Sequence, residues 1–117
     1  MKWVEIITLR SPGNINRQFV DELLKGIGES DSPKHLIEIK VFDHYVVETD
    51  LSIHIYWESE KESQRKSPLG LRFCSALKPL GLLNHSVWVE TAALEFPYGN
   101  ARLGDILASE RKGISKI

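Results

Sequence analysis

Four short stretches carry the side chains able to do chemistry: His54, Tyr56 and Glu58; Asn84, His85 and Trp88; Asp43, His44, Glu48 and Asp50; and Arg72 with Cys74. His54 and Tyr56 lie two residues apart in an alternating segment, so both project from one face of a strand. An imidazole there has the chemistry of a general base or an axial haem ligand, although a lone strand histidine without an orienting carboxylate is more often a hydrogen-bonded structural group. Glu58 shares that face but stands about 13 Å along the strand from His54, too far to orient it.

Asn84 and His85 fall where the chain returns from a helix, a place where polar side chains often satisfy free helix carbonyls. In the functional reading His85 and Trp88 line the mouth of a small-molecule pocket, one polar group beside an aromatic wall. Trp57 and Trp88 more often serve as core or interface anchors than as stacking platforms. The spacing of Asp43, His44, Glu48 and Asp50 matches neither a calcium loop nor a His-Glu-x-x-His helix, so a solvated hairpin is expected and no metal. Arg72 would pair with an anionic ligand in the functional reading and meets water in the structural one. Cys74 reads as a small buried hydrophobe, since no activating base for it is evident in the sequence. Gly26-Ile27-Gly28 closes a helix, whereas a dinucleotide fingerprint opens one, so no cofactor is assigned.

These residues need elements to hold them. Residues 2 to 10 are β-branched and aromatic and end at the turn formers Ser11-Pro12-Gly13-Asn14, the mark of a strand. Phe19, Val20, Leu23, Leu24 and Ile27 form one helical stripe, with Asn14 or Asn16 as the cap and Gly26 or Gly28 as the stop. Residues 35 to 42 alternate in part, and Leu51 to Glu58 alternate cleanly, with Leu51, Ile53, Ile55 and Trp57 on one side. Ser67-Pro68 opens a second helix as cap and first-turn proline; Leu69, Phe73, Ala76, Leu77 and Leu80 make its apolar face and Gly81 ends it. His85 to Ala92 reads as a fourth strand, and residues 100 to 109 as a short helix before a loose tail.

With 117 residues, 42% hydrophobic and 26% charged, the chain suits one globular domain, placed at 1–92, with an extension at 93–117. Fifteen basic against sixteen acidic residues leave a charge of -1, which argues against nucleic acid or an anionic membrane as partner. The third strand also lacks the basic, glycine and aromatic pattern of an RNA-recognition sheet. Glu5 and Arg10 interrupt what a signal peptide would need, no apolar run approaches a membrane span, and the single cysteine excludes an internal disulfide. A cytoplasmic location is expected.

The order β-α-β-β-α-β is the split βαβ motif, an α+β ferredoxin-like antiparallel sheet with both helices on one face and the other face bare. Over residues 1 to about 92 this order, the length and a bare face carrying His54, Tyr56 and Glu58 resemble the dimeric α/β-barrel superfamily, which includes antibiotic-biosynthesis-monooxygenase-like and stress-responsive barrel proteins. The stretch from Ser67-Pro68-Leu69-Gly70-Leu71-Arg72 to Asn84-His85-Ser86-Val87-Trp88 looks like a family signature. The resemblance implies a homodimer closed through the bare faces. It leaves two functions open: binding of a small organic molecule or assembly, or oxidation of an aromatic or polyketide-like substrate, often without metal or flavin, or action on haem. His54, Tyr56 and His85 are then the catalytic candidates, and Trp88, Glu58, Asn84 and Arg72 the ligand-binding ones.

Overall fold

The computed structural model describes residues 1–31, 33–60 and 65–97, so the helix expected over 100–109 lies outside the described residues. Within them the order is β1 (Lys2–Arg10), α1 (Arg17–Asp31), β2 (Leu36–Asp43), β3 (Asp50–Glu58), α2 (Pro68–Leu77), a 3-10 turn (Lys78–Leu80) and β4 (Leu82–Val89). The four strands form one antiparallel sheet in the order β2-β3-β1-β4. This is the α+β ferredoxin-like arrangement that the element order implies.

Local signals explain the elements. Asn16 caps α1, its side-chain oxygen accepting from the Phe19 amide at 3.1 Å, and Ser67 caps α2 by accepting from the Gly70 amide at 2.9 Å. Both helices are too short to stand alone and take their stability from the sheet. Val20 and Leu24 of α1 and Leu69, Phe73 and Leu77 of α2 pack on the inward rows Ile7, Leu9, Leu51, Ile53 and Ile55. Phe19, expected in the α1 stripe, is exposed instead, because it falls at the stripe's edge beside Val20. Trp3 of β1 and Trp57 of β3 are register partners on this inner face, and their rings stack at 5.1 Å and 11°.

β4 starts at Leu82, three residues before the strand expected from the sequence, and ends before Glu90. The chain enters the sheet directly after Gly81, whose missing Cβ lets the backbone pass against the Arg10 carbonyl oxygen. Asn84 and His85 therefore stand within the strand and on opposite faces of it, not at the helix junction as expected. Beyond β4 the described chain runs on with Leu94 and Phe96 exposed.

Candidate functional site

On the sheet face that no helix among the described residues covers, the register sets twelve side chains in three rows that cross all four strands. One row is Glu38, Tyr56, Val4 and Trp88. The middle row is Lys40, His54, Ile6 and Ser86, and the third is Phe42, Ser52, Thr8 and Asn84. Strand alternation alone puts these residues together, since the intervening positions point into the core.

His54 stands near the middle of this face. One ring nitrogen, Nε2, lies 2.8 Å from the Ser52 hydroxyl, and Nδ1 lies 3.5 Å from the Tyr56 hydroxyl. Phe42 sits tilted against the ring at a centroid distance of 4.6 Å, and the Lys40 ammonium stands 5.4 Å over Tyr56. Partial burial, and then the Lys40 charge, hold the imidazole below its ordinary pKa. At neutral pH the ring is therefore an uncharged acceptor flanked by two hydroxyls. Trp88 donates from Nε1 to the Ser86 hydroxyl at 2.9 Å and leaves its ring exposed. Two shallow clefts open at the ends of the face, one of about 390 Å³ beside Phe42, Ser52 and Asn84, and one of about 320 Å³ between Tyr56 and Trp88.

The structure thus brings His54, Tyr56, Asn84 and Trp88 onto one surface, with Glu58 at its edge, and separates them from His85 and Arg72. His85 faces the other way: its side chain is 6% exposed, on the inner face beneath α2, so it does not share a pocket wall with Trp88. Residues three apart on a strand cannot share a face. Glu58 lies exposed at the end of β3, opposite Lys2. Arg72 points outward from α2 and pairs with Asp31, remote from the open face. In the β2–β3 hairpin Asp43 pairs with Arg17 and Asp50 with Arg10, while His44 Nδ1 accepts from the Val46 and Val47 amides. Among the described residues no group of three or more His, Cys, Asp or Glu side chains converges on a common point.

Sequence reading missed the side chain that, among the described residues, gathers four hydrogen-bond contacts in the core. Glu5 is fully buried in β1, among Trp3, Ile7 and Leu9. Its carboxyl accepts from Trp57 Nε1 at 2.9 Å, from the Ser67 amide at 2.6 Å and from the Ser67 hydroxyl, and lies 3.0 Å from His85 Nε2. Gly70 makes room for it, since a Cβ there would come within 2.6 Å of Glu5 Oε1. The signal was available: an acid at an inward position of an otherwise apolar strand face needs buried partners. His85 completes the cluster and carries it on to Cys74, whose Sγ lies 3.5 Å from His85 Nδ1.

No family model matches this chain and no curated protein is similar to it in sequence. Solved structures are similar in fold. SnoaB, a cofactor-independent oxygenase from Streptomyces nogalater, aligns with a TM-score of 0.60 at 11% identity, over 81% of this chain and 98% of its own. A protein provisionally designated an antibiotic biosynthesis monooxygenase from Deinococcus radiodurans gives 0.56 at 15% identity, over 82% and 98%. Rv0793 from Mycobacterium tuberculosis gives 0.55 at 13%, over 81% and 100%. The chain has the ferredoxin-like fold of antibiotic-biosynthesis-monooxygenase-like proteins, which agrees with the resemblance to the dimeric α/β barrels. No helix among the described residues is long and apolar enough to cross a membrane.

Proposed function

We propose that two copies of this chain pair through their open sheet faces and enclose a small, largely apolar organic molecule between them. The observation that carries this reading is the composition of the three rows. Val4, Ile6, Phe42, Tyr56 and Trp88 supply apolar and aromatic surface, and Phe42 and Trp88 are 45% and 59% exposed in the single chain. His54, Ser52, Thr8 and Asn84 supply a few polar groups among them, the mixture expected of a ligand site. A surface of that kind on an isolated domain calls for a partner. Asn84 and Trp88 flank the ligand from β4 and His54 with Tyr56 orient it from β3. Glu58 at the strand end and Arg72 on the far side of the helices are left as surface groups. The lone Cys74 suits a reducing, cytoplasmic compartment.

A second reading makes the pair an enzyme that oxidises an aromatic or polyketide-like molecule. His54 favours it, because a neutral imidazole held between the Ser52 and Tyr56 hydroxyls is placed to accept a proton from an enolic or phenolic substrate. SnoaB, similar in fold, is a cofactor-independent oxygenase. Tyr56 would then hold the substrate oxygen and Trp88 stack on its ring. The roles of all these residues rest on their placement on the open face.

Native mass spectrometry of the purified protein tests the pairing and the ligand together. A dimer that carries extra mass supports enclosure and gives the ligand's mass. A bare monomer at micromolar concentration refutes the pairing. His54→Ala then separates the two readings: loss of turnover with the dimer intact marks a base, and ligand binding reduced in step with stability marks a structural histidine.

A further inference from the structure

On the opposite side of the sheet, the His85 ring is engaged at both nitrogens, by Glu5 at Nε2 and by the Cys74 thiol at Nδ1. The other three bonds to the Glu5 carboxyl come from N–H or O–H donors, two of them from Ser67 and one from Trp57. With Glu5 as acceptor in the bond to His85 as well, the imidazole proton stands on Nε2 and the Nδ1 lone pair faces the sulfur. A thiol within reach of a base, and a base oriented by a third group, is the arrangement that activates a nucleophile. It is assembled from three elements, with β1 far in sequence from α2 and β4, and Gly70 leaves room for it: a Cβ at that position would lie 3.0 Å from the imidazole ring.

We propose that Cys74 is a nucleophilic thiol that exchanges with low-molecular-weight disulfides, with His85 as its base and Glu5 as the group that holds the imidazolium. The Cys74 S–H proton passes to His85 Nδ1 as Sγ attacks one sulfur of R–S–S–R. A bond forms between Cys74 Sγ and that sulfur, the R–S–S–R bond breaks, and the departing thiolate takes the proton from His85 as RSH. Cys74 is oxidised to a mixed disulfide while the departing half of the reagent is reduced, so electrons and protons balance.

The charges that bear on the thiol are few. Burial, the largest influence, pushes the thiol pKa up, Lys66 before α2 opposes this, and Glu5 of β1 adds to it. Free thiolate is scarce at neutral pH, and direct transfer to His85 is the available route. Cys74 is half-buried, and its contact with His85 is not sealed from the surface.

The test uses bis(2-hydroxyethyl) disulfide, a neutral reagent, on the full chain, with the adduct measured by intact mass. Cys74 is the only cysteine, so one added 2-hydroxyethylthio group reports this site alone. With His85 as the base, the rate reaches its plateau below the pH range in which the thiol itself ionises. For His85→Gln the rate at pH 7 falls at least about tenfold and rises only through the thiol range. A native chain whose rate climbs only through the thiol range, or that forms no adduct at all, overturns the proposal without reference to any variant. Equal pH profiles for the native chain and a folded His85→Gln do so as well.

Discussion

The two faces of the sheet are built from the same four strands and treat their polar groups in opposite ways. On the covered face one carboxyl, Glu5, is sealed from water and bonded from β3, from β4 and from the start of α2. On the open face His54 has only its strand neighbours Ser52 and Tyr56, and the row around it is half wet. A sealed polar group must find all its partners inside the fold or destabilise it. A half-wet one can keep spare bonding capacity for something that arrives later. The covered cluster thus bears on stability, while the open one has bonding capacity that the proposed ligand would use.

Substitutions can break this contrast, beginning with the largest effect. Glu5→Ala strands the Trp57, Ser67 and His85 donors beneath α2, and is expected to cost about 3–5 kcal/mol of folding free energy, read from urea denaturation. A loss below about 1 kcal/mol would show that water takes over those partners. Gly70→Ala presses a methyl against Glu5 Oε1 and the His85 ring, and is expected to cost about 1–3 kcal/mol in the same measurement. Ser67→Ala removes both the α2 cap and a donor to Glu5, with an expected loss of about 1–2 kcal/mol.

On the open face the order of effects reverses. Trp88→Ala leaves the stability of the single chain within about 0.5 kcal/mol, because its ring is exposed there. The same change should weaken self-association measured by sedimentation. A large loss of monomer stability from Trp88→Ala would remove the distinction between the faces. The smallest effect concerns pH. Burial and Lys40 hold the folded His54 pKa below its unfolded value, so the unfolded chain binds the proton first as pH falls. The contribution of His54 is then complete above about pH 6.5 and declines as the pH drops toward the folded value. The urea midpoint should rise from pH 5 to pH 7, and His54→Gln should flatten that rise.

Much of the fold was legible because local chemistry and periodicity agree. Ser67-Pro68 starts α2 where a cap and a first-turn proline belong, and Leu51 to Trp57 alternate as a strand with one buried face. The sequence reading starts β4 three residues late because nothing local after the helix stop at Gly81 marks where the strand begins. What lets the chain join the sheet there is the close pass of Gly81 against Arg10, a long-range contact with no local mark. Parity parts His85 from Trp88 in either placement of the strand, so the expected pocket pairing of those two fails.

The candidate site divides along the same line. His54 and Tyr56 share a face by spacing alone, and the sequence determined that much, together with the element order and the bare face. Which residues of β1, β2 and β4 stand beside them depends on strand register, and register is decided by pairings between segments distant in the chain. Glu5, His85 and Cys74 show this most plainly. The sequence marks each as an unusual residue at its position, but only the packing of α2 across β1 and β4 brings a carboxylate, an imidazole and a thiol into line. Propensity and alternation act over a few residues, whereas that line joins Glu5 to His85 across most of the described sequence and exists only when the core has closed.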